Sequence, residues 1–180
     1  MVTISRTPYS QENQDFSNKG HLCAQRTLYP LIFPNSQLQF VPLPEDQVRI
    51  LDGDMGTDRH VLVKVQTLRE AFSVLVQERF RQTRFADFQD VTITEWNHNS
   101  NKPGELYKIK AEMFLYGYYD PLKDKFIDAI AFSVFNLKVK LSQGIIGHVS
   151  GVNPRSNQSF LGFQFKDLEK QHIAVWRMAA

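Results

Sequence analysis

Asp52, Asp54 and Asp58 lie in one acidic turn, Asp-Gly-Asp-Met-Gly-Thr-Asp, that opens the valine-rich run Val61–Val65. A second β-like run follows and ends in Gln77-Glu78-Arg79-Phe80-Arg81. Two neighbouring strands that bring an aspartate, a Glu or Gln and a cation together can hold a divalent metal beside a phosphate. Hard oxygen ligands suit Mg²⁺, which usually keeps several of its waters. A guanidinium stays charged and grips phosphate oxygens two at a time, whereas a lysine can also orient a water or shift its pKa. The turn has a plainer use as well, since aspartates in such segments accept backbone N–H bonds.

Side chains alternate along a strand, so Gln77 and Arg79 share one face while Glu78 points the other way with Val74 and Val76. Polar groups inside a sheet need partners. Charges that reach solvent, or that pair with Asp87 or Asp90, would meet that need without any ligand. Gly104-Glu105-Leu-Tyr-Lys108-Ile-Lys-Ala-Glu112 is the next constellation. Glu105 and Lys108 stand one helical turn apart, as do Lys108 and Glu112. Glu112 suits ordinary solvated helix pairing. Glu105 and Lys108 follow a turn and can project toward the same edge as Asp58. Asp90 with Glu105 and Lys108 makes a second, less regular metal frame. Arg79, Arg81, Arg84 and Lys108 are the candidate phosphate contacts. Tyr116-Gly-Tyr-Tyr119 can stack on bases or simply pack. The five histidines are scattered without a paired-ligand spacing, and no P-loop, dinucleotide fingerprint or serine-hydrolase elbow is present.

The elements that must position these groups are legible in outline. Residues 1–18 are polar and predict a loose arm. Leu22, Cys23, Leu28, Tyr29 and Ile32 predict a helix from Asn18, its N-cap, to Ile32, stopped by Pro34. Residues 34–45, with three prolines, predict an extended connection. Residues 48–51 suit either a short strand or a helix end. Strands follow at Val61–Val65, Phe72–Phe80 and Val91–Trp96, as a three-stranded meander, with an exposed turn at Asn97–Gly104. Glu105–Tyr118 fits both periods and is assigned to a helix. Then come a strand at Phe126–Phe132, a helix at Val134–Leu141 ended by Gly144, and a loop over Ser150–Ser159. A strand at Phe160–Phe165, a helical turn at Lys166–Lys170 and a strand at Ile173–Arg177 complete the chain. This order predicts an α/β (α+β) fold, a mixed central sheet flanked by helices, in a single domain over residues 19–180.

The 180 residues carry a net charge of only +2, so any DNA-binding surface must be a local patch. Cys23 is the single cysteine, which excludes an intrachain disulfide or a cysteine-based zinc site and points to a reducing cytoplasm. No secretory signal is visible. The longest apolar stretch, Ala129–Leu137, is too short to span a bilayer, so no membrane association is expected.

Three pieces together resemble phage- and bacteria-associated members of the PD-(D/E)XK nuclease superfamily, with its restriction-endonuclease-like fold. They are His21-x-x-Ala24-Gln-x-x-Leu28-Tyr-Pro, Gly56-Thr-Asp58 with Val76-Gln-Glu-Arg-Phe-Arg81, and Gly104-Glu-x-x-Lys108-Ile-x-Ala111 leading to Tyr116-Gly. The similarity spans roughly residues 20–175. It implies that Asp58 is the metal-binding aspartate and Gln77 the second ligand position, with Arg79 in place of the usual lysine of the E-x-K motif. Glu78, Glu105 and Lys108 complete the implied catalytic set. It also implies a Mg²⁺- or Mn²⁺-dependent phosphodiester hydrolase acting on DNA, often as a homodimer.

Overall fold

The computed structural model describes residues 11–41, 57–66 and 70–178. Asp52, Asp54 and the 48–51 segment lie outside the described residues, as does the first part of the expected N-terminal arm. Residues 11–18 are not arm but helix. Helix α1 runs Gln11–Thr27. The Gln11 amide donates to Asp15 at 2.8 Å, and the Phe16 ring meets the Tyr119 ring at 5.6 Å. One aromatic anchor and a local polar pair thus extend the helix a full two turns before Asn18. A four-residue turn, α2 (Tyr29–Ile32), follows.

Among the described residues two sheets form. The first has six strands in the order β1-β2-β3-β6-β7-β10. These are β1 Ser36–Val41, β2 Arg59–Val65, β3 Glu70–Gln82, β6 Met113–Asp120, β7 Lys125–Ser133 and β10 Ala174–Arg177. Only the β3–β6 pairing is parallel, so the sheet is mixed. The second sheet has four strands in the order β5-β4-β9-β8. They are β4 Asp90–Asn97, β5 Lys102–Pro103, β8 Val149–Asn153 and β9 Gln158–Gln164. Helices α3 (Glu105–Lys108), α4 (Val134–Ser142) and α5 (Phe165–Lys170) complete the described elements. The mixed α/β class expected from the element order is the class observed.

Several expectations are corrected. The 105–118 segment is one helical turn and then a strand. Met113, Leu115 and Tyr119 join the core beneath α1, whereas Phe114, Tyr116 and Tyr118 join the core on the opposite face. A strand covered on both faces is apolar throughout, and such a run mimics helical spacing. The third strand of the expected meander leaves the first sheet. A 3₁₀ turn over Thr83–Phe88, closed by Gln89 at φ 45°, turns the chain so that β4 pairs with β9 instead. Residues 36–41 form a strand because Leu38 and Phe40 pack against the α1-side core. The expected loop at 150–159 is the β8–β9 hairpin.

The two cores fix the layering. Cys23, Ala24, Leu28 and Tyr29 cover Val61, Val63 and Val76 on one side of the first sheet. Val91, Ile93, Leu161 and Phe163 of the second sheet belong to the core on the other side, with Phe165 and Leu168 of α5. Phe114, Phe132, Phe163 and Phe165 are fully buried.

Candidate functional site

β3 carries the site because it separates its polar residues by face. Glu78 points toward α1. Gln77, Arg79 and Arg81 occupy the alternate positions.

On the α1 side, the Glu78 side chain is wholly buried. Tyr29 donates its hydroxyl to Glu78 Oε1 at 2.8 Å, Arg59 Nε donates to Oε2 at 3.2 Å, and His21 Nδ1 is hydrogen-bonded to Oε2. Ser17 Oγ lies 3.0 Å from His21 Nε2 and continues the chain to the surface of α1. Burial, and next the Glu78 charge, hold the Tyr29 phenol well above its ordinary pKa. This network ties α1 and the start of β2 to β3. Sequence reasoning singled out Glu78 but missed three partners as a set. The available signal was the spacing of His21 and Tyr29 by two helical turns, together with Arg59 directly after Asp58.

Asp58 stands just before β2 and grips β3 at two points. Its N–H donates to Val76 O at 2.9 Å, and its carboxylate accepts the Glu78 N–H at 2.7 Å. The two bonds bracket Gln77. Gln77 is 7% exposed, and its Oε1 is buried without a hydrogen-bond partner. Asp58 therefore plays the turn role that its surroundings suggested, and it does so next to an amide oxygen left unsatisfied. Thr57 Oγ1, also buried without a partner, lies directly before Asp58.

On the opposite face, Arg79 donates from Nη1 to Thr92 O at 3.0 Å and pairs through Nη2 with Glu105. Glu105 therefore meets Arg79 of the strand motif. Glu105 is presented by α3, whose start at Gly104 is pressed against β4. A Cβ at Gly104 would lie 2.5 Å from Thr94 O. Arg81 Nη1 lies 3.5 Å from Asp90 Oδ1 and 3.4 Å from the Tyr116 hydroxyl. The Arg81 and Arg84 guanidiniums stack on the Phe85 ring at 4.3 and 4.9 Å. Lys108 is exposed on α3. Asp90 and Glu105 each face an arginine, Arg81 and Arg79. Glu112 does not pair along a helix; its carboxylate accepts the Leu75 N–H in the middle of β3. Tyr116, Tyr118 and Tyr119 are buried, so they pack and do not stack on bases.

A polar cleft of about 320 Å³ opens beside Arg79 and Arg81. Thr92 and Thr94 of β4 line it, as do Asn153, Ser156, Gln158 and Phe160 of the β8–β9 hairpin. Asp58 and Gln77 are not among the residues lining that cleft. The structure thus yields two features: the Asp58 bonds to β3 on either side of Gln77, and the arginine cleft that begins at Arg79, one alternation further along β3.

Among the described residues no group of three or more His, Cys, Asp or Glu side chains could hold a metal ion. A cation here would rest on fewer protein ligands. The Gln77 amide oxygen and the Asp58 carboxylate, on segments joined by the Asp58 bonds to Val76 and Glu78, are hard oxygen donors, and Mg²⁺ is commonly bound through one or two carboxylates with water completing the shell. Among the described residues no helix is long and apolar enough to cross a membrane. No protein-family model, curated protein or solved structure matches the chain.

Proposed function

We propose that this chain is a metal-dependent nuclease that hydrolyses DNA phosphodiester bonds. Asp58 and Gln77 hold Mg²⁺ or Mn²⁺, and Arg79 holds the phosphate. One observation carries this reading: Gln77 Oε1 is buried and unsatisfied at the point where Asp58 brackets it. Leaving a buried acceptor unpaired costs roughly 1–3 kcal/mol, which a bound cation would recover.

When bound, such an ion supplies a Lewis acid for a phosphoryl oxygen and an acidified water. The chain's own residues do the positioning. Glu105 and Thr92 O fix the Arg79 guanidinium, so it meets the charge that develops on the phosphate without reorganising. Glu78, Tyr29 and Arg59 hold β2 and β3 in register behind the site. The lone buried Cys23 suits a reducing cytoplasm, and a homodimer is the assembly that the superfamily resemblance favours.

Incubation of the purified protein with plasmid and single-stranded DNA in Mg²⁺ or Mn²⁺ tests the reading. Cleavage is expected in the wild type and lost in Asp58→Ala. Cleavage that persists in Asp58→Ala removes the assigned role.

A second reading has its own support, because the Asp58 carboxylate already serves the Glu78 N–H. On that view the chain is a nucleic-acid-binding or assembly protein that holds phosphates with Arg79, Arg81, Arg84 and Lys108. It predicts salt-sensitive DNA affinity without cleavage.

A further inference from the structure

We infer that the cleft beside Arg79 and Arg81 is a seat for one unpaired nucleotide, with its phosphate on the arginines and its base against Phe160. The inference rests on the nucleic-acid reading for Arg79 and adds the substrate form: a strand with an unstacked base.

The cleft lies on the face of β4 that bears Thr92 and Thr94, opposite the core residues Val91 and Ile93. The side chains lining the cleft are polar apart from one ring, Phe160. The ring lies over Gly151 of the paired strand, where an added Cβ would come within 2.7 Å of Phe160 Cζ. Glycine at this cross-strand position lets the ring lie down across the hairpin, so one face rests on backbone. A half-buried aromatic held in this way is a stacking platform, and stacking on it is sequence-tolerant because every base has a π-face.

The polar complement suits the rest of a nucleotide. Arg79 uses Nη1 and Nη2, and Arg81 uses Nη1, in the contacts with Thr92, Glu105, Asp90 and Tyr116. A guanidinium has five N–H donors, so both retain donors for phosphate oxygens. Asn153 and Gln158 bring amides, each with donor and acceptor, that can meet base edges. The volume, about 320 Å³, is at the small end for ligand sites and suits one nucleotide better than a duplex. A base stacked within a duplex cannot reach such a seat without unpairing.

The test is a metal-free calorimetric titration of the full chain with thymidine 5′-monophosphate and, separately, with inorganic phosphate. Wild type is expected to bind the mononucleotide more tightly than phosphate. Phe160→Leu is expected to weaken the mononucleotide about tenfold, the loss of one stacked base, while leaving phosphate unchanged. Arg81→Gln is expected to weaken both. If Phe160→Leu does not fold, Gln158→Ala serves in its place, with a loss of affinity for the mononucleotide alone. Equal affinity for the two ligands, a Phe160→Leu protein that binds the mononucleotide as wild type does, or no binding of either ligand overturns the seat. Cleavage absent while mononucleotide binding persists leaves the seat standing and removes the nuclease reading. Cleavage present without mononucleotide binding does the reverse.

Discussion

The carboxylate of Asp58 accepts the backbone N–H of Glu78 at 2.7 Å, one residue beyond Gln77. β2 begins only at Arg59, so the side chain supplies the acceptor that an earlier strand residue would have given. Structure and proposed chemistry therefore rest on the same carboxylate, and substitutions can separate them. Asp58→Asn keeps an acceptor and is expected to melt close to wild type while losing metal-dependent cleavage. Asp58→Ala removes the acceptor and is expected to lose about 1–3 kcal/mol of stability as well. Urea denaturation beside the cleavage assay checks the pair. Equal destabilisation by both variants would contradict the account of the bond.

Gln77 gives an opposite sign. Its Oε1 is buried without a partner, and exchanging an unsatisfied polar group for an apolar one of similar shape relieves a desolvation cost. Gln77→Met is expected to raise metal-free stability by about 1 kcal/mol, read as an upward shift in the urea midpoint at constant slope. A drop of similar size would mean that the amide is satisfied in solution.

The Glu78 network should behave as a unit. Tyr29→Phe removes one hydrogen bond to a charged group and is expected to cost roughly 1.5–3 kcal/mol. Glu78→Ala leaves the tyrosine, histidine and arginine groups around it without their common acceptor, at an expected cost of roughly 3–5 kcal/mol. In the Tyr29→Phe/Glu78→Ala double variant the tyrosine change should cost little more. Additive losses would place the network's energy elsewhere.

Alkaline stability follows from buried phenols. Burial, and secondarily the Glu78 charge, raises Tyr29 well above its ordinary value of 10.0. Burial likewise raises Tyr118 and Tyr119. Above pH 10 the unfolded chain releases these protons while the folded chain keeps them. Their contribution is therefore complete below the ordinary tyrosine value and is lost as pH rises through the folded values. Stability measured from pH 9 to 12 should fall, with tyrosinate absorbance from these residues appearing together with unfolding. Full tyrosine ionisation in a still-folded protein would contradict the burial argument.

Local pattern revealed what local physics controls. The alternation through Val61, Val63 and Val65 gave β2, and the opposed faces of Gln77 and Glu78 followed from strand geometry alone. The β2–β3 pairing of the expected meander formed, but the partner of the third strand was not legible. Thr83–Phe88 contains no glycine or proline to announce that β4 would leave the first sheet; the turn relies on Gln89 in a left-handed conformation. The assignment of 105–118 failed because burial on both faces erases the two-residue period. His21 and Tyr29 became part of the story only when tertiary contact set them on Glu78, a partner 57 and 49 residues away in sequence.

The central claim is that Asp58 and Gln77 share a divalent cation. Titration of Mn²⁺ into ¹⁵N-labelled protein reads this directly, through paramagnetic broadening of side-chain amide signals. The account predicts that the Gln77 signal broadens first, ahead of the exposed amides of Asn99 and Gln143, and that Asp58→Asn abolishes the preference. Broadening spread evenly over the surface, or centred on Gln77 in Asp58→Asn as strongly as in wild type, would contradict it.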